Sequence, residues 1–277
     1  MSPNRICFGL RLVGYTAAME QSNPPGSFCW IELGTTDQAA AESFYTSLFG
    51  WQAEHSPMGP SGTYTMFKLN GRNVAAAYLL QKEQKGVPAH WMPYVATTDA
   101  DASARKAAEL GGSVLAPAFD VYDLGRMAVL RDPTGAAFAV WQSKEHKGLG
   151  IKEANGALCW ADLSTNDADK AAAFYQALFG WEIEQGNAKA SGYRHIQNGE
   201  AMIGGIPPAS HRNPNVPPHW LAYFQVGDCD ATAASATSMG AKLLLPPMSM
   251  ENVGRIAVIA DPQGAVFALF QPVPQPT

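Results

Sequence analysis

Two acids stand in unusual surroundings. Glu32 lies in Phe28-Cys-Trp-Ile-Glu-Leu33 and Asp162 in Leu158-Cys-Trp-Ala-Asp-Leu163, each the only charge in an apolar, strand-like run. An unpaired carboxylate is costly to bury. Each therefore needs a partner, with Arg126 and Arg255 as candidates, or a wet cleft in which it can touch a ligand or act as a general base. Two histidines also recur in matching runs, His90-Trp-Met-Pro-Tyr-Val95 and His219-Trp-Leu-Ala-Tyr-Phe224. At the mouth of a strand each is either a hydrogen-bonded structural residue or a ligand donor and proton carrier. Glu32, Asp162, His90 and His219 are the candidate catalytic set. His55, His146, His195 and His211 have no counterpart in the other half and read as surface residues.

The repetition extends well beyond these groups. Phe44-Tyr-Thr-Ser-Leu-Phe-Gly-Trp51 is echoed by Phe174-Tyr-Gln-Ala-Leu-Phe-Gly-Trp181, 130 positions later and with six of eight residues identical. The chain is a tandem duplication. Its 277 residues suit two domains, and 47 % apolar against 16 % charged residues is globular composition. With net charge −5 and no basic stripe, nucleic acid is not an expected partner. No apolar run is long enough to span a bilayer as a helix. The four cysteines, Cys7, Cys29, Cys159 and Cys229, form no CxxC pair and read as free thiols in a reducing cytoplasm.

Each half reads as two βαβββ units. Asp37 and Asp167 are natural N-caps, Ala41, Phe44, Tyr45 and Leu48 (with Ala171, Phe174, Tyr175 and Leu178) recur at helical spacing, and Gly50 and Gly180 suit a left-handed C-cap. The Phe-Tyr pairs and the Trp that follows are expected to pack helix on sheet. Ala-rich helices from Asp99 and Asp228 belong to the second unit of each half. Asp-Pro-Thr-Gly135 and Asp-Pro-Gln-Gly264 are type I turn signals between the last two strands. The expected layout is an arm at 1–25, domains at 26–143 and 157–272 joined by a linker at 144–156, and a tail at 273–277.

Four βαβββ units, the Phe-Tyr-x-x-Leu-Phe-Gly-Trp helix end and a closing Asp-Pro-x-Gly-x-x-Phe strand resemble the vicinal oxygen chelate superfamily. That group includes glyoxalase I, bleomycin-resistance proteins and extradiol dioxygenases. The resemblance spans about Ser27 to Gln271 and is nearest the tandem glyoxalase-like branch. It implies an α+β fold: two glyoxalase-like domains with partly open, barrel-like mixed sheets, concave around a small molecule, with helices on the convex side. Metal-using members place His, Gln or Glu ligands on the inner strand faces. Here those slots fall near Trp30, Met92, Ala139 and Ala76 or Ala77, and near Trp160, Leu221, Ala268 and Ile203. None is a ligand for a hard or borderline ion. No cofactor is therefore expected, the alternative being one divalent metal ion.

Strand alternation places Trp30 and Glu32 on one face of their strand and Trp160 and Asp162 likewise. Met92 and Tyr94, Leu221 and Tyr223, Trp141 and Phe270 join them, with Tyr64 and Tyr193 on a neighbouring strand. An aromatic-walled pocket with few polar groups is the usual make-up of a small-molecule site. The expectation is a monomer or homodimer that binds a small apolar or aromatic molecule. Two catalytic alternatives stay open: a metal-dependent glyoxalase-type lyase or dioxygenase, and a metal-independent enzyme using Glu32 or Asp162 as base.

Overall fold

The computed structural model describes residues 23–59, 62–185 and 192–273. Most of the expected arm, Cys7 and the end of the tail lie outside them. The first half runs β1 (Phe28–Thr35), α1 (Gln38–Phe49), β2 (Gln52–Pro57), β3 (Thr63–Leu69), β4 (Arg72–Leu79), β5 (His90–Ala96), α2 (Ala100–Glu109), β6 (Ser113–Val121), β7 (Gly125–Arg131) and β8 (Ala137–Ser143). The second half repeats the order with β9 (Leu158–Ser164), α3 (Ala168–Phe179), β10 (Glu182–Gln185), β11 (Arg194–Asn198), β12 (Ala201–Ile206), β13 (His219–Gln225), α4 (Cys229–Ser238), β14 (Lys242–Met250), β15 (Gly254–Ala260) and β16 (Val266–Pro272). No helix among the described residues is long and apolar enough to cross a membrane.

The helices start and stop where their sequences direct. The side chains of Asp37, Asp99, Asp167 and Asp228 accept the N–H three residues on, satisfying a donor that the first turn leaves free. Gly50 and Gly180, at φ 70° and 74°, close α1 and α3 in the left-handed conformation. Gln142 and Gln271, on the closing strands, accept the N–H of Ala100 and Cys229 at the starts of α2 and α4.

Each half builds its own sheet. The orders are β2-β3-β4-β1-β5-β8-β7-β6 and β10-β11-β12-β9-β13-β16-β15-β14. Units therefore pair within a half. The central contact, β1 against β5 and β9 against β13, is antiparallel, while β1–β4, β5–β8, β9–β12 and β13–β16 are parallel. The two mixed sheets and four helices are the expected α+β fold.

The convex faces meet in a shared core, which is where the repeated aromatic motif goes. Tyr45 packs on Trp51 and Trp91 of its own half and on Phe267 of the other. Phe49 meets Phe224, and Phe138 meets Tyr175. The packing role read from sequence holds, and it is larger than helix on sheet: the motif also joins the two halves. The Asp-Pro-x-Gly turns belong to the same joint. Asp132 Oδ1 accepts the N–H groups of Thr134, Gly135 and Ala136, while its Oδ2 accepts the Tyr175 hydroxyl at 3.0 Å. Asp261 does the same for Tyr45 at 2.9 Å, and burial raises its carboxyl above the ordinary range. Both convex faces are committed to this core.

Candidate functional site

On the concave face of the first sheet Glu32 is held by two phenols. Tyr64 donates to Oε1 at 2.6 Å and Tyr94 to Oε2 at 2.5 Å, while the Trp30 indole N–H donates to the Tyr64 oxygen at 3.2 Å. The sheet dictates the meeting. Glu32 lies opposite Met92 on one side and Ala76 on the other, and Trp30 lies opposite Tyr94. Burial raises the Glu32 carboxyl above its ordinary value, opposed by the hydrogen bonds from Tyr64, Tyr94 and Trp30. The phenols are in turn pushed well up by burial and by the adjacent carboxylate.

The second sheet builds the same cluster with a shorter acid. Asp162 accepts Tyr193 at 2.5 Å and Trp160 at 2.9 Å on Oδ1, and Tyr223 at 2.8 Å on Oδ2. Losing a methylene draws the carboxylate back toward its strand, so Tyr193 must come further in. Gly205, the strand partner of Asp162, permits this. A Cβ at Gly205 would lie 1.9 Å from the Tyr193 oxygen. Ala76 holds the equivalent position beside the longer Glu32. Burial also raises the Asp162 carboxyl, against its three hydrogen bonds and the nearby His195.

The sequence-predicted residues fall as follows. Trp30, Glu32, Tyr64 and Tyr94 come together in the first cleft, with Met92 opposite Glu32 and Trp141 further along the same face. Trp160, Asp162, Tyr193 and Tyr223 come together in the second, with Phe270 beside them. His90 and His219 stand at the strand mouths, and each Nδ1 meets a proline carbonyl, Pro88 or Pro217, at 2.9 Å. No hydrogen bond joins either to an acid among the described residues. The arginine partnership is corrected: Arg126 is bound to Asp101 and Asp120, and Arg255 to Asp230 and Ser249. The acids are satisfied by phenols instead, whose neutral O–H groups bring no second charge into the sheet interior.

Two histidines assigned to the surface belong to the clefts. The His146 ring meets Trp30 edge to face at 4.5 Å and Trp141 at 5.7 Å. Its Nε2 is buried without a partner, and burial lowers the imidazole from 6.5 to about 4. The His195 ring lies 5.1 Å from Tyr193 and 6.3 Å from Trp160, on the strand position that Met66 holds in the first half. Alternation from Tyr193 would have placed His195 on the same face as that tyrosine. No local pattern marks His146, because it lies past the last strand of its unit. His55, bonded to Glu42, and His211 are at the surface as expected.

The thiols agree with the sequence. Cys29, Cys159 and Cys229 are free, and Cys29 and Cys159 donate to the carbonyls of Tyr94 and Tyr223. Burial pushes the Cys29 thiol up to about 12, which makes it inert as a nucleophile.

The donors do not suit the superfamily's metal. A structural or catalytic ion needs several convergent His, carboxylate or thiolate ligands. Among the described residues no three His, Cys, Asp or Glu side chains group to hold one. The inner strand positions carry Trp30, Met92, Ala139 and Ala76, or Trp160, Leu221, Ala268 and Gly205. Each cleft offers one carboxylate, already taken by phenols.

The tandem of glyoxalase-like folds defines the class, and sequence comparison places the chain in it. The chain belongs to the Glyoxalase/Bleomycin resistance protein/Dioxygenase superfamily, matched at residues 27–140 and 157–269. It is 44 % identical over 251 residues to a "Putative glyoxylase CFP32" of Mycobacterium bovis, covering 89 % of this chain and 95 % of that protein. It is 36 % identical over 263 residues to the "Anthracycline biosynthesis protein DauV" of a Streptomyces species, covering 89 % and 94 %. Among solved structures the fold is similar to the Mn(II)-bound glyoxalase of Novosphingobium aromaticivorans, with TM-score 0.61, 14 % identity and 90 % and 83 % of the two chains covered. It is also similar to the 2,3-dioxygenase LapB of Pseudomonas sp. KL28, with TM-score 0.62, 12 % identity and 92 % and 96 % covered. At those identities the structural likeness speaks to the fold alone.

Proposed function

We propose that this protein binds a small aromatic molecule carrying a hydroxyl or carbonyl group in its concave clefts, anchored by the acid–phenol cluster and without a metal ion at the superfamily's site. The observation that carries this reading is the pairing of one carboxylate with two phenols inside an aromatic wall, built twice in one chain. A phenol that donates to a carboxylate can turn its hydrogen to a ligand carbonyl. The carboxylate it leaves can accept a ligand hydroxyl. In the second cleft Trp160, which keeps partial exposure, supplies a flat apolar surface for the rest of the molecule. The relative named for anthracycline biosynthesis supports a fused-ring hydroxyquinone as the probe class.

A second reading adds proton transfer. A carboxyl raised by burial is a better base once ionised, and in the second cleft the His195 ring lies 5.1 Å from that of Tyr193. In this reading Asp162 takes a proton from an acidic carbon or hydroxyl beside a ligand carbonyl. A phenol, Tyr193 or Tyr223, stabilises the oxyanion formed.

The test is titration of the full chain with 1,4-dihydroxyanthraquinone, followed by tryptophan fluorescence, with the metal content of the same preparation measured. Binding weakened about tenfold by Glu32→Gln and by Asp162→Asn, the worth of ~1.4 kcal/mol, supports the first reading. Turnover of a bound hydroxyketone that Asp162→Asn abolishes while leaving affinity intact would add the second. About one divalent ion per chain, lost in the same variants, would replace both with a metal-dependent lyase or dioxygenase.

A further inference from the structure

Both halves set an imidazole of fixed tautomer at the mouth of the cleft. His90 and His219 open β5 and β13, and each Nδ1 lies 2.9 Å from a proline carbonyl, that of Pro88 or of Pro217. A carbonyl only accepts, so Nδ1 carries the hydrogen. Nε2 of the neutral ring is then a lone-pair acceptor. Neither Nε2 has a hydrogen-bond partner among the described residues, and both histidines keep partial exposure.

A hydroxyl accompanies each imidazole, and the two halves supply it from different strands. In the first half Gly34 is the strand partner of both His90 and Tyr78. The Tyr78 hydroxyl and His90 Cε1 each lie 3.1 Å from the point that a Gly34 Cβ would occupy, and Leu80 Cδ2 lies 2.9 Å from it. Residue 34 therefore has no room for a hydroxyl of its own while Tyr78 and Leu80 cover it. Gln84 donates to the Tyr78 oxygen at 3.4 Å, and the phenol hydrogen has no acceptor among the described residues. Burial and the Glu32 carboxylate raise this phenol above its ordinary range, so it stays a donor. In the second half the partner of His219 is Ser164, and the same register puts Pro207 where Tyr78 stands. Proline brings no hydroxyl, and the serine supplies one from β9 instead. That hydroxyl has no hydrogen-bond partner among the described residues, and Ser164 keeps partial exposure, as Tyr78 does. The exchange of Gly34 and Tyr78 for Ser164 and Pro207 thus keeps a hydroxyl beside the imidazole.

We propose that each cleft mouth is a second polar anchor, His90 with Tyr78 in the first half and His219 with Ser164 in the second, which holds a ligand hydroxyl between the imidazole Nε2 and the neighbouring hydroxyl. The ligand hydroxyl donates to Nε2 and accepts from Tyr78 or Ser164. The inference rests on the binding function proposed above and names the ligand class more narrowly. Gly34 and Ser164 lie two residues along their strands from Glu32 and Asp162, so the mouth stands about 7 Å from the acid–phenol cluster. The molecule therefore carries two oxygen functions on opposite edges of a ring rather than on neighbouring carbons. The one at the mouth is a hydroxyl; the one at the acid is a carbonyl or a hydroxyl.

The experiment compares 1,4-dihydroxyanthraquinone with unsubstituted anthraquinone, which can accept a hydrogen bond but not donate one, on the full chain. Ring nitrogen NMR signals of the two histidines, identified by their loss in His90→Phe and in His219→Phe, report each mouth separately. The expected spectra show both rings as the Nδ1–H tautomer, with Nε2 signals that shift on adding the dihydroxy probe and stay in place with the unsubstituted one. Combining His90→Phe with His219→Phe should weaken the dihydroxy probe roughly tenfold and leave the unsubstituted probe unchanged. Tyr78→Phe combined with Ser164→Ala, which keeps both rings, should weaken the dihydroxy probe by a smaller factor. If wild type binds that probe and Glu32→Gln with Asp162→Asn weakens it, yet the histidine signals do not move and the histidine variants match wild type, the inference fails and the binding function stands. If wild type binds neither probe, both fail. Equal losses for the two probes in the histidine variants would make the rings packing only and overturn the inference. A shift at one histidine alone would overturn it for the other cleft.

Discussion

The two clefts make the same contact with different parts. In the first, Glu32 stands beside Ala76; in the second, Asp162 stands beside Gly205. The acid is shorter by a methylene and the neighbour by a methyl, and the phenol follows the acid inward. What the duplication has kept is neither the acid nor its neighbour but a carboxylate held by two tyrosines. The differences lie around that cluster. The first cleft is closed by Trp141 and His146, and its Trp30 is 3 % exposed. In the second, Trp160, Tyr223 and Phe270 keep partial exposure, and His195 takes the place of Met66. The comparison teaches that the carboxylate–phenol cluster is common while the walls around it differ, so on the proposed binding function the two clefts would prefer differently shaped molecules.

The largest effect should come from breaking the compensation. Gly205→Ala forces the Tyr193 hydroxyl off Asp162. Overpacking together with a lost charge-assisted hydrogen bond should cost about 3–5 kcal/mol in urea unfolding. Adding Asp162→Glu rebuilds the combination of the first cleft and should recover most of that loss. A double mutant that is merely additive would show that acid and neighbour are independent.

A pH effect should separate the clefts next. The His146 imidazole is lowered from 6.5 to about 4 by burial, so between these values the unfolded chain holds the extra proton. The His146 contribution to stability should therefore fall as pH drops through that window, by no more than about 3 kcal/mol, and His146→Phe should remove that contribution. Glu32 works in the opposite direction. Its folded carboxyl is raised above 4.5, so it costs stability as pH rises from there through the folded value, and Glu32→Gln should remove that cost. Urea midpoints measured across pH 4–7 for wild type and the two variants check both signs.

Removing one phenol from each cluster should be milder, about 1–2 kcal/mol. Tyr94→Phe should cost more than Tyr223→Phe, because Asp162 retains the Trp160 N–H at 2.9 Å as well as Tyr193, whereas the Trp30 N–H beside Glu32 is directed to the Tyr64 oxygen. Equal costs would mean that the indole contact contributes nothing. The smallest effect concerns shape. Trp141→Phe should change stability by about 1 kcal/mol or a little more and should widen the first cleft toward the second, read as a gain for bulkier anthraquinones in the fluorescence titration.

Much of this was legible in the residues. The 130-residue echo and the βαβββ order gave the duplication and the fold, because caps, turn signals and alternation agreed locally. Alternation also put Trp30 with Glu32 and Trp160 with Asp162 on one face. Three things were not legible. The partner of each acid depends on which strand lies alongside, so an arginine three strands away was as plausible on paper as a tyrosine on the adjacent strand. The aromatic motif joins the halves because both sheets turn their convex faces inward, a matter of tertiary arrangement that no local spacing reports. His146 enters its cleft from the joining segment, where no strand period exists to assign it a face.

The most direct test of the account is a crystal structure of the full chain soaked with 1,4-dihydroxyanthraquinone. The account predicts a ligand oxygen within hydrogen-bonding distance of Glu32 and its phenols, or of Asp162 and its phenols with the ring system lying on Trp160. A metal ion between ligand and protein in either cleft, or a ligand bound well away from both acids, would contradict it.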